Sequence, residues 1–411
     1  QPVRIHQRRQ HVRREGNVGR GRHGLRGEHQ LDHAERGADG RFLDHGDDLV
    51  AERGQDILDG LRQHDELHRL RGGKTQRARG LSLARVDGKD ARTEDLGNGY
   101  KVGFVLENGF TADDGKMDNS DRLFGRESNL FITGAFGTLS FGRVGQLASA
   151  NGTFGLLGVT SPFSSGWGDS IGPKFVTANG WARFDNTVTY ATPTFAGLTM
   201  YAQYSFGTDS AKTDATYIEG QSSVDRYYGL GAKYVNNSLT LVGVVDSINY
   251  QSYASGAVTN MDDSLTVTLG GNYDFGVVKP YLLGQYFKNA KAFGQKNVND
   301  KSAFDKGYTF SGAGVNGAKG WGLAAGVDVP AFGGTAKALL AYGDAEGEDN
   351  SDMEVSRWVF SVGYAYNLSK RTSVYTAASY MRDDVNKELA GTTSDINPSS
   401  VEVAAGLIHK F

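Results

Sequence analysis

The eleven residues VEVAAGLIHKF, from Val401 to Phe411, decide the fold of this chain. Read with a period of two, they divide into two faces: Val401, Val403, Ala405, Leu407, His409 and Phe411 on one, and Glu402, Ala404, Gly406, Ile408 and Lys410 on the other. The first face is mostly apolar, and the stretch ends on an aromatic residue. This pattern is typical of an outer-membrane barrel strand, because its outer face meets lipid and aromatic side chains lie at the interface.

The same alternation recurs upstream. It is present in the stretches 100–106, 265–273 and 358–366, where large apolar or aromatic residues occupy every second position. The other face is small or polar in each case, which suits a water-filled interior. Alternation by itself also fits a soluble all-β protein with one solvated face.

The connections favour the barrel, because short turns alternate with long polar loops along the chain. Each short turn follows or contains a strand-ending aromatic residue, which indicates an aromatic girdle at one membrane interface. The short turns are 136–137, 195–197, 236–238, 275–276, 332–334 and 367–369, and the loops are 111–121, 146–181, 207–225, 249–262, 288–320, 344–354 and 382–399. Thirteen connections predict fourteen strands between Tyr100 and Phe411.

Composition agrees with a barrel. The mean hydropathy is −0.43, and no run of 18 apolar residues exists, which excludes transmembrane helices. A barrel strand escapes that test because only every second residue faces lipid. The absence of cysteine fits a chain that crosses an oxidising compartment.

Residues 1–92 differ from the rest. They contain 18 Arg, 2 Lys and 8 of the 9 His, and Phe42 is their single aromatic residue of the Phe, Trp and Tyr type. With 15 acidic residues their net charge is +5, whereas residues 93–411 carry −8. Two segments so different rarely belong to one fold. Three interpretations remain: a basic domain that binds nucleic acid or another anionic polymer, a disordered periplasmic extension, or translation in a wrong reading frame or strand. Interspersed acidic residues and the near absence of aromatics speak against the first. We favour the third, because misread GC-rich codons give Arg, Gly, His, Asp and Ala in excess.

From residue 93 onward the sequence resembles the Gram-negative trimeric porins, and especially their beta-proteobacterial branch. Five motifs in the family's order carry the resemblance: EDLGNGYKVGF at 94–104, LENGF at 106–110, RLFGR at 122–126 with FGTLSFGR at 136–143, DNTVTY at 185–190 before Pro193, and GLIHKF at 406–411. In the last motif Ile408 stands where the family usually has Arg.

The resemblance implies an all-β, transmembrane antiparallel barrel of sixteen strands in the outer membrane. Family members have two strands before the EDLGNG turn, and residues 83–88 do not match them. We therefore expect fourteen readable strands and the first two to be missing. An unpaired edge in lipid costs several kcal/mol for each orphaned backbone group.

A sixteen-stranded barrel is too wide for side chains to fill, so the expected function is passive diffusion of small hydrophilic solutes and ions. The resemblance implies that loop 146–181 folds inward and narrows the pore. The candidate constriction residues are Asp169 and Lys174 on this loop, and Arg126, Arg143 and Arg183 on or beside the neighbouring strands. Arg143 could instead contact lipid headgroups or a neighbouring subunit.

The resemblance also implies a homotrimer, contact with lipopolysaccharide, and recognition of the C-terminal strand, with Phe411 as the insertion signal, by the barrel-assembly machinery. No cofactor, metal or nucleic acid is implied. A substrate-specific channel would need an aromatic slide or a basic ladder inside the pore, and a structural barrel would not conduct. An enzyme is the remaining alternative, but His409 is the one imidazole after residue 92, and alternation places it on the outer face.

Overall fold

The computed structural model describes one part of the chain in detail. The described residues are 62–64, 85–111, 115–117, 119, 122–164, 167, 171–179, 181–210, 218–251, 253–254, 257–258, 262–294, 308–310, 317–390 and 393–409. The chain divides into two units, residues 1–51 and 52–411, and all described residues belong to the second. The predicted segment boundary at 92/93, and the nature of residues 1–92, therefore stay predictions.

Within the described part the chain is nearly all strand. The strands are β1 (Arg62–His64), β2 (Arg85–Gly97), β3 (Tyr100–Thr111), β4 (Glu127–Gly134), β5 (Gly137–Gly145), β6 (Arg183–Ala191), β7 (Leu198–Ser205), β8 (Arg226–Asn236), β9 (Leu239–Asn249), β10 (Tyr253–Ala254), β11 (Ala257–Val258), β12 (Leu265–Tyr273), β13 (Lys279–Ala290), β14 (Ala292–Phe293), β15 (Tyr308–Thr309), β16 (Ala318–Ala331), β17 (Gly334–Gly347), β18 (Glu354–Asn367), β19 (Thr372–Val385) and β20 (Ser399–His409). One four-residue helix, α1, spans Lys387–Ala390.

Sixteen strands form a single antiparallel sheet in which each strand pairs with the next along the chain. The small pairs β10–β11 and β14–β15 lie within connections and stand apart from it. Two-residue turns make this meander possible, as at Asn98 and Gly99, whose φ angles of 54° and 80° suit a tight hairpin. β1 also contacts β20, the other end of the strand order, although no backbone ladder joins these two described strands.

The architecture confirms the predicted porin-type barrel and the fourteen strands that begin at Tyr100. It differs at the start, where two strands were expected to be missing. β1 and β2 occupy that place, and β2 pairs with β3 from Arg85 to Gly97. The sequence pattern does not predict β2, because its residues, RVDGKDARTEDLG, are mostly charged and show no apolar alternation.

The two faces of the sheet differ in exposure. One face, here called the outer face, exposes large apolar side chains, such as Leu230, Leu269 and Leu282 at 66%, 64% and 65%. The opposite or inner face carries loop 146–181. Such an apolar outer surface suits lipid. No helix among the described residues has the length and apolar character needed to cross a membrane.

Candidate constriction site

Loop 146–181 connects β5 to β6 and lies against the inner face of distant strands. It contains two short 3-10 turns, η1 (Leu157–Thr160) and η2 (Pro173–Val176). η1 contacts β9, β12 and β13, whereas η2 contacts β16, β17 and β18. The loop therefore leaves its own strand pair and extends over a large part of the sheet.

Side chains of the sheet fasten the backbone of this loop. Asn272 on β12 donates its amide to the carbonyl of Val159 at 2.7 Å. Gln285 on β13 accepts from the Ala178 N–H at 2.7 Å. At the base of the loop, the buried Glu127 carboxylate accepts from the Thr153 N–H at 3.1 Å. These contacts satisfy backbone groups that have no ladder partner.

Apolar packing adds to these hydrogen bonds. The loop side chains Leu147, Leu157, Phe163, Ile171 and Val176 are all fully buried. They belong to one cluster with inner-face residues of the strands: Val242, Val244, Leu283, Leu339, Ala341 and Val359. Burial of one such side chain stabilises the folded state by about 1.5–3 kcal/mol. The loop is thus firmly packed on the inner face of the sheet.

Arg126 lies directly before β4 and binds across to β3. Its Nε donates to Glu107 Oε1 at 2.5 Å, and its backbone N–H donates to the Glu107 carbonyl at 3.2 Å. The two side chains are 15% and 13% exposed. Glu107 lies directly opposite Glu127 in the β3–β4 ladder, so Arg126 offsets the charge of neighbouring carboxylates near the base of loop 146–181.

Arg143 belongs to a second, larger charge cluster. Its Nη1 donates to Asp185 Oδ1 at 2.5 Å, and its Nε donates to the Gly125 carbonyl at 2.7 Å. The other Asp185 oxygen lies 3.0 Å from Arg122 Nη2, which also bonds Asp209 at 2.6 Å. The cluster ties the strands β5 and β6 to the connections before β4 and after β7.

A local irregularity brings these groups together. The register of β5 and β6 shifts between Gly142 and Val144, and Asn186 adopts a φ of 50°. Such a bulge redirects side chains and bends the strand. Alternation along β5 and β6 therefore cannot give the direction of Arg143 or Asp185.

The remaining predicted site residues fall into three groups. Arg183 lies at the start of β6, where its carbonyl is 3.5 Å from Arg143 Nη1. Lys174 lies in η2, with its ammonium 5.0 Å from the centre of the Phe175 ring, and η2 packs on strands far from β5 in the sheet order. Asp169 and Phe411 lie outside the described residues. The structure thus places Arg126, Arg143 and Arg183 at the consecutive strands β4, β5 and β6 and places Lys174 elsewhere.

Sequence reasoning missed several charged residues that the structure brings into contact. Arg122 and Asp185 lie within the motifs that carry the resemblance, yet nothing in the sequence says that they meet. Arg357 and Asp383 are also missed, and both are fully buried on the inner face. Alternation offered a signal for Arg357, because it shares the face of Val359 and Ser361 and not that of Trp358.

An aromatic group marks the contact between the loop and β19. Trp167 lies edge-on to Phe163, with ring centres 5.2 Å apart, and 4.6 Å from Tyr375 on β19. Lys337 on β17 holds its ammonium 5.6 Å from the Trp167 ring and pairs with Asp328 at 3.0 Å. Phe163 and Tyr375 are buried in this group, whereas Trp167 is partly exposed and has the ammonium beside its ring.

Groups with metal-binding chemistry are not assembled among the described residues. No set of three or more His, Cys, Asp or Glu side chains there is arranged to hold a metal ion.

Tyr250 lies directly after β9, at the start of loop 249–262. Burial raises its pKa to about 12, and its ring lies 4.0 Å from the Lys291 ammonium.

Comparison with known proteins identifies relatives of the whole sheet. The sequence pattern of the Gram-negative porin family matches residues 63–386. The match therefore includes residues 63–92, for which no resemblance to this family was expected. An outer membrane porin protein of Bordetella pertussis is 31% identical over 78% of this chain and 80% of its own length. An anion-selective porin from Comamonas acidovorans has a similar fold, with a TM-score of 0.56, 23% identity, and coverage of 85% of this chain and 98% of its own. The trimer form of OmpT from Vibrio cholerae gives a TM-score of 0.51, 15% identity, and coverage of 84% and 96%.

Proposed function

Because this chain belongs to the Gram-negative porin family and forms an outer-membrane channel for the diffusion of small solutes, we propose that loop 146–181 is its constriction. The observation that carries this proposal is the path of the loop from β5, along η1 on β12, to η2 on β17. A sixteen-stranded barrel leaves an aqueous channel. A segment packed on the inner face reduces its cross-section, so the narrowest part lies beside this loop.

We further propose that basic residues near the loop set the ion preference. Arg126, Arg143 and Arg183 stand near β4, β5 and β6, with Lys174 and Asp169 on the loop itself. Ion pairs with Glu107 and Asp185 hold Arg126 and Arg143 in place and also reduce their fields. Selectivity then follows from the small difference between fixed charges of both signs. The related anion-selective porin supports an anion preference.

The assembly is proposed to be a homotrimer in contact with lipopolysaccharide. The trimer form of the structurally similar OmpT supports the subunit number. The apolar outer face offers one surface for both lipid and subunit contacts. The last strand and Phe411 are proposed to serve as the insertion signal that the barrel-assembly machinery binds. A channel of this kind needs no catalytic group, and we propose that the chain is not an enzyme.

Single-channel recording in planar bilayers tests the constriction. The full chain should give stable current steps in groups of three. Replacement of the apolar loop residues Leu157 and Ile171 by Ala should loosen the loop and alter the conductance of each step. The matched control is Leu269→Ala on the outer face, which is 64% exposed and should leave the steps unchanged. Equal conductance in all three proteins would refute the constriction proposal.

A substrate-specific channel is the second candidate, and one observation favours it. Phe163, Trp167 and Tyr375 form a continuous aromatic group on the inner face, with the Lys337 ammonium beside it. Phe163 and Tyr375 are buried, so Trp167, which is partly exposed, is the ring of this group that a solute in the pore would meet. Saturable block of the current by one solute class, lost in Trp167→Ala, would favour this candidate. Linear dependence on solute concentration for every class would favour the general pore.

A further inference from the structure

Two separate connections meet on the inner face. One is loop 146–181, and the other is segment 291–317, which joins β13 to β16 and of which the structure describes residues 291–294, 308–310 and 317, including β14 and β15. Ala178 of the loop and Phe293 of the segment form an antiparallel bridge. Two backbone hydrogen bonds of 2.9 Å flank it, from Asn179 N–H to Ala292 O and from Gly294 N–H to Thr177 O. The loop therefore gains a strand-like partner that is not part of the main sheet.

A buried ion pair lies beneath this contact. Arg357 on β18 is directly opposite Asp383 on β19, and both side chains are 0% exposed. The guanidinium Nε and Nη2 each donate to one carboxylate oxygen at 2.8 Å. The remaining Nη1 donates to the Phe175 carbonyl in η2 at 3.1 Å. One side chain of the sheet thus binds the backbone of loop 146–181.

The same pair also contacts two described residues of segment 291–317, Phe293 and Tyr308. The Tyr308 hydroxyl on β15 donates to Asp383 Oδ2 at 2.8 Å. The Arg357 guanidinium lies 5.9 Å from the centre of the Phe293 ring and 5.7 Å from that of Tyr308. Burial raises the pKa of Tyr308 far above its usual value, so this hydroxyl keeps its proton in any physiological buffer.

The burial of Arg357 decides its role. A guanidinium with no exposed surface cannot form direct contacts with passing ions. Nor is a buried ion pair expected to stabilise the fold more than apolar residues of the same size. Its directional hydrogen bonds do something that apolar residues cannot, because they fix the position of the Phe175 carbonyl and the Tyr308 hydroxyl relative to β18 and β19.

We propose that Arg357 is a positioning residue of the channel, which together with Asp383 holds loop 146–181 in a fixed arrangement with Phe293 and Tyr308 of segment 291–317 and thereby sets the width of the pore. This inference rests on the proposed constriction by loop 146–181. The coupled unit contains Phe175, Ala178, Phe293 and Tyr308, and its two halves move together. Loss of the pair should free both connections at once.

Cysteine labelling measures this coupling without reference to current. The chain contains no cysteine, so Ala178→Cys introduces a single thiol at a site that is 3% exposed. In the otherwise unchanged porin, a water-soluble maleimide should react slowly with it. Ala148→Cys, in the same loop near β5 and 1% exposed, supplies the matched site away from Arg357.

The test variant combines Arg357→Met, Asp383→Leu and Tyr308→Phe. It removes all three polar groups together, so that no charge stays buried without a partner and the barrel keeps its fold. The control variant combines Lys319→Met with Glu346→Gln, an ion pair of 3.1 Å between side chains that are each 40% exposed. Retained heat-modifiable migration in gels confirms folding of each protein.

In the test variant, labelling at position 178 should accelerate about tenfold or more, since local opening governs access to a buried thiol. Labelling at position 148 should stay slow, and single-channel current should change in size and become noisier. The Lys319 and Glu346 control should match the parent in every measurement. A folded test variant that still protects position 178 would overturn the inference. Faster labelling at 178 with unchanged current would instead refute the proposed constriction and retain the coupling between the two connections.

Discussion

The backbone of Gly322 on β16 lies in direct contact with the carbonyl of Val176 in η2. A Cβ built on Gly322 would overlap that oxygen. Glycine is required here because it alone permits two backbones to come so close. At this point η2 can lie against β16 only because the strand has no side chain there.

Gly322→Ala should displace η2 from β16. The methyl group has no space, so we expect the free energy of unfolding to fall by about 1–3 kcal/mol and the single-channel conductance to change. Thermal unfolding followed by circular dichroism and bilayer recording measure the two effects. Gly284→Ala is the matched control, because its methyl group would meet only the end of the Leu323 side chain at 3.2 Å. A Gly322→Ala protein identical to the parent in both measurements would show that the loop is not held there.

Asp185→Asn should weaken the charge cluster at β5 and β6. The carboxylate binds Arg143 at 2.5 Å and Arg122 at 3.0 Å, and it is 7% exposed. Its neutralisation leaves two partly buried guanidinium groups without their shared counter-ion, so the free energy of unfolding should fall by about 2–4 kcal/mol. The control is Asp95→Asn, which removes the exposed ion pair between Asp95 and Lys101, 4.0 Å apart. It should lower the free energy of unfolding by less than about 1 kcal/mol. Equal losses in the two variants would contradict a structural role for the Asp185 cluster.

The strand pattern was predictable because lipid imposes it. Every second residue of a barrel strand faces hydrocarbon, so the fourteen strands from Tyr100 onward show apolar side chains with a period of two. The short turns between them indicate that each strand pairs with the next. β2 breaks this rule with a charged sequence and was therefore overlooked.

The candidate site was less predictable, since its contacts join residues far apart in the chain. Arg143 was singled out from its motif, but its link to Asp185 depends on a bulge that alternation does not reveal. The pairing of Arg357 with Asp383 depends on the register of β18 and β19, and the binding of Phe175 depends on the path of a loop. Glycine residues such as Gly322 mark places where the loop approaches a strand closely, yet the sequence does not say which glycines have this role until the position of the loop is known.

Stability at high pH should depend on Tyr250. Burial raises its pKa in the folded protein to about 12, above the value of about 10 in the unfolded chain. The stabilisation is complete below pH 10 and is lost as the pH rises towards 12, because the unfolded chain releases this proton first. Tyr250→Phe should flatten that part of the curve, and Tyr273→Phe on the outer face should not. Melting temperatures between pH 9 and 11.5 measure the difference, and equal slopes for the parent and Tyr250→Phe would rule out this contribution.

Glu107→Gln should shift the channel towards anions. The Glu107 carboxylate accepts from Arg126 Nε at 2.5 Å, and its removal leaves the positive charge of Arg126 without that partner near the base of the loop. Because the Debye length is about 8–10 Å in physiological salt, the change acts on ions that pass close to this site. Glu346→Gln makes the same change of charge on the outer face, where Glu346 pairs with Lys319, and should leave the preference unaltered. The reversal potential in a salt gradient measures the ion preference of each variant. A shift towards anions in Glu107→Gln alone would place Arg126 at the pore. Equal shifts in both variants, or no shift in either, would show that Arg126 is not part of the constriction.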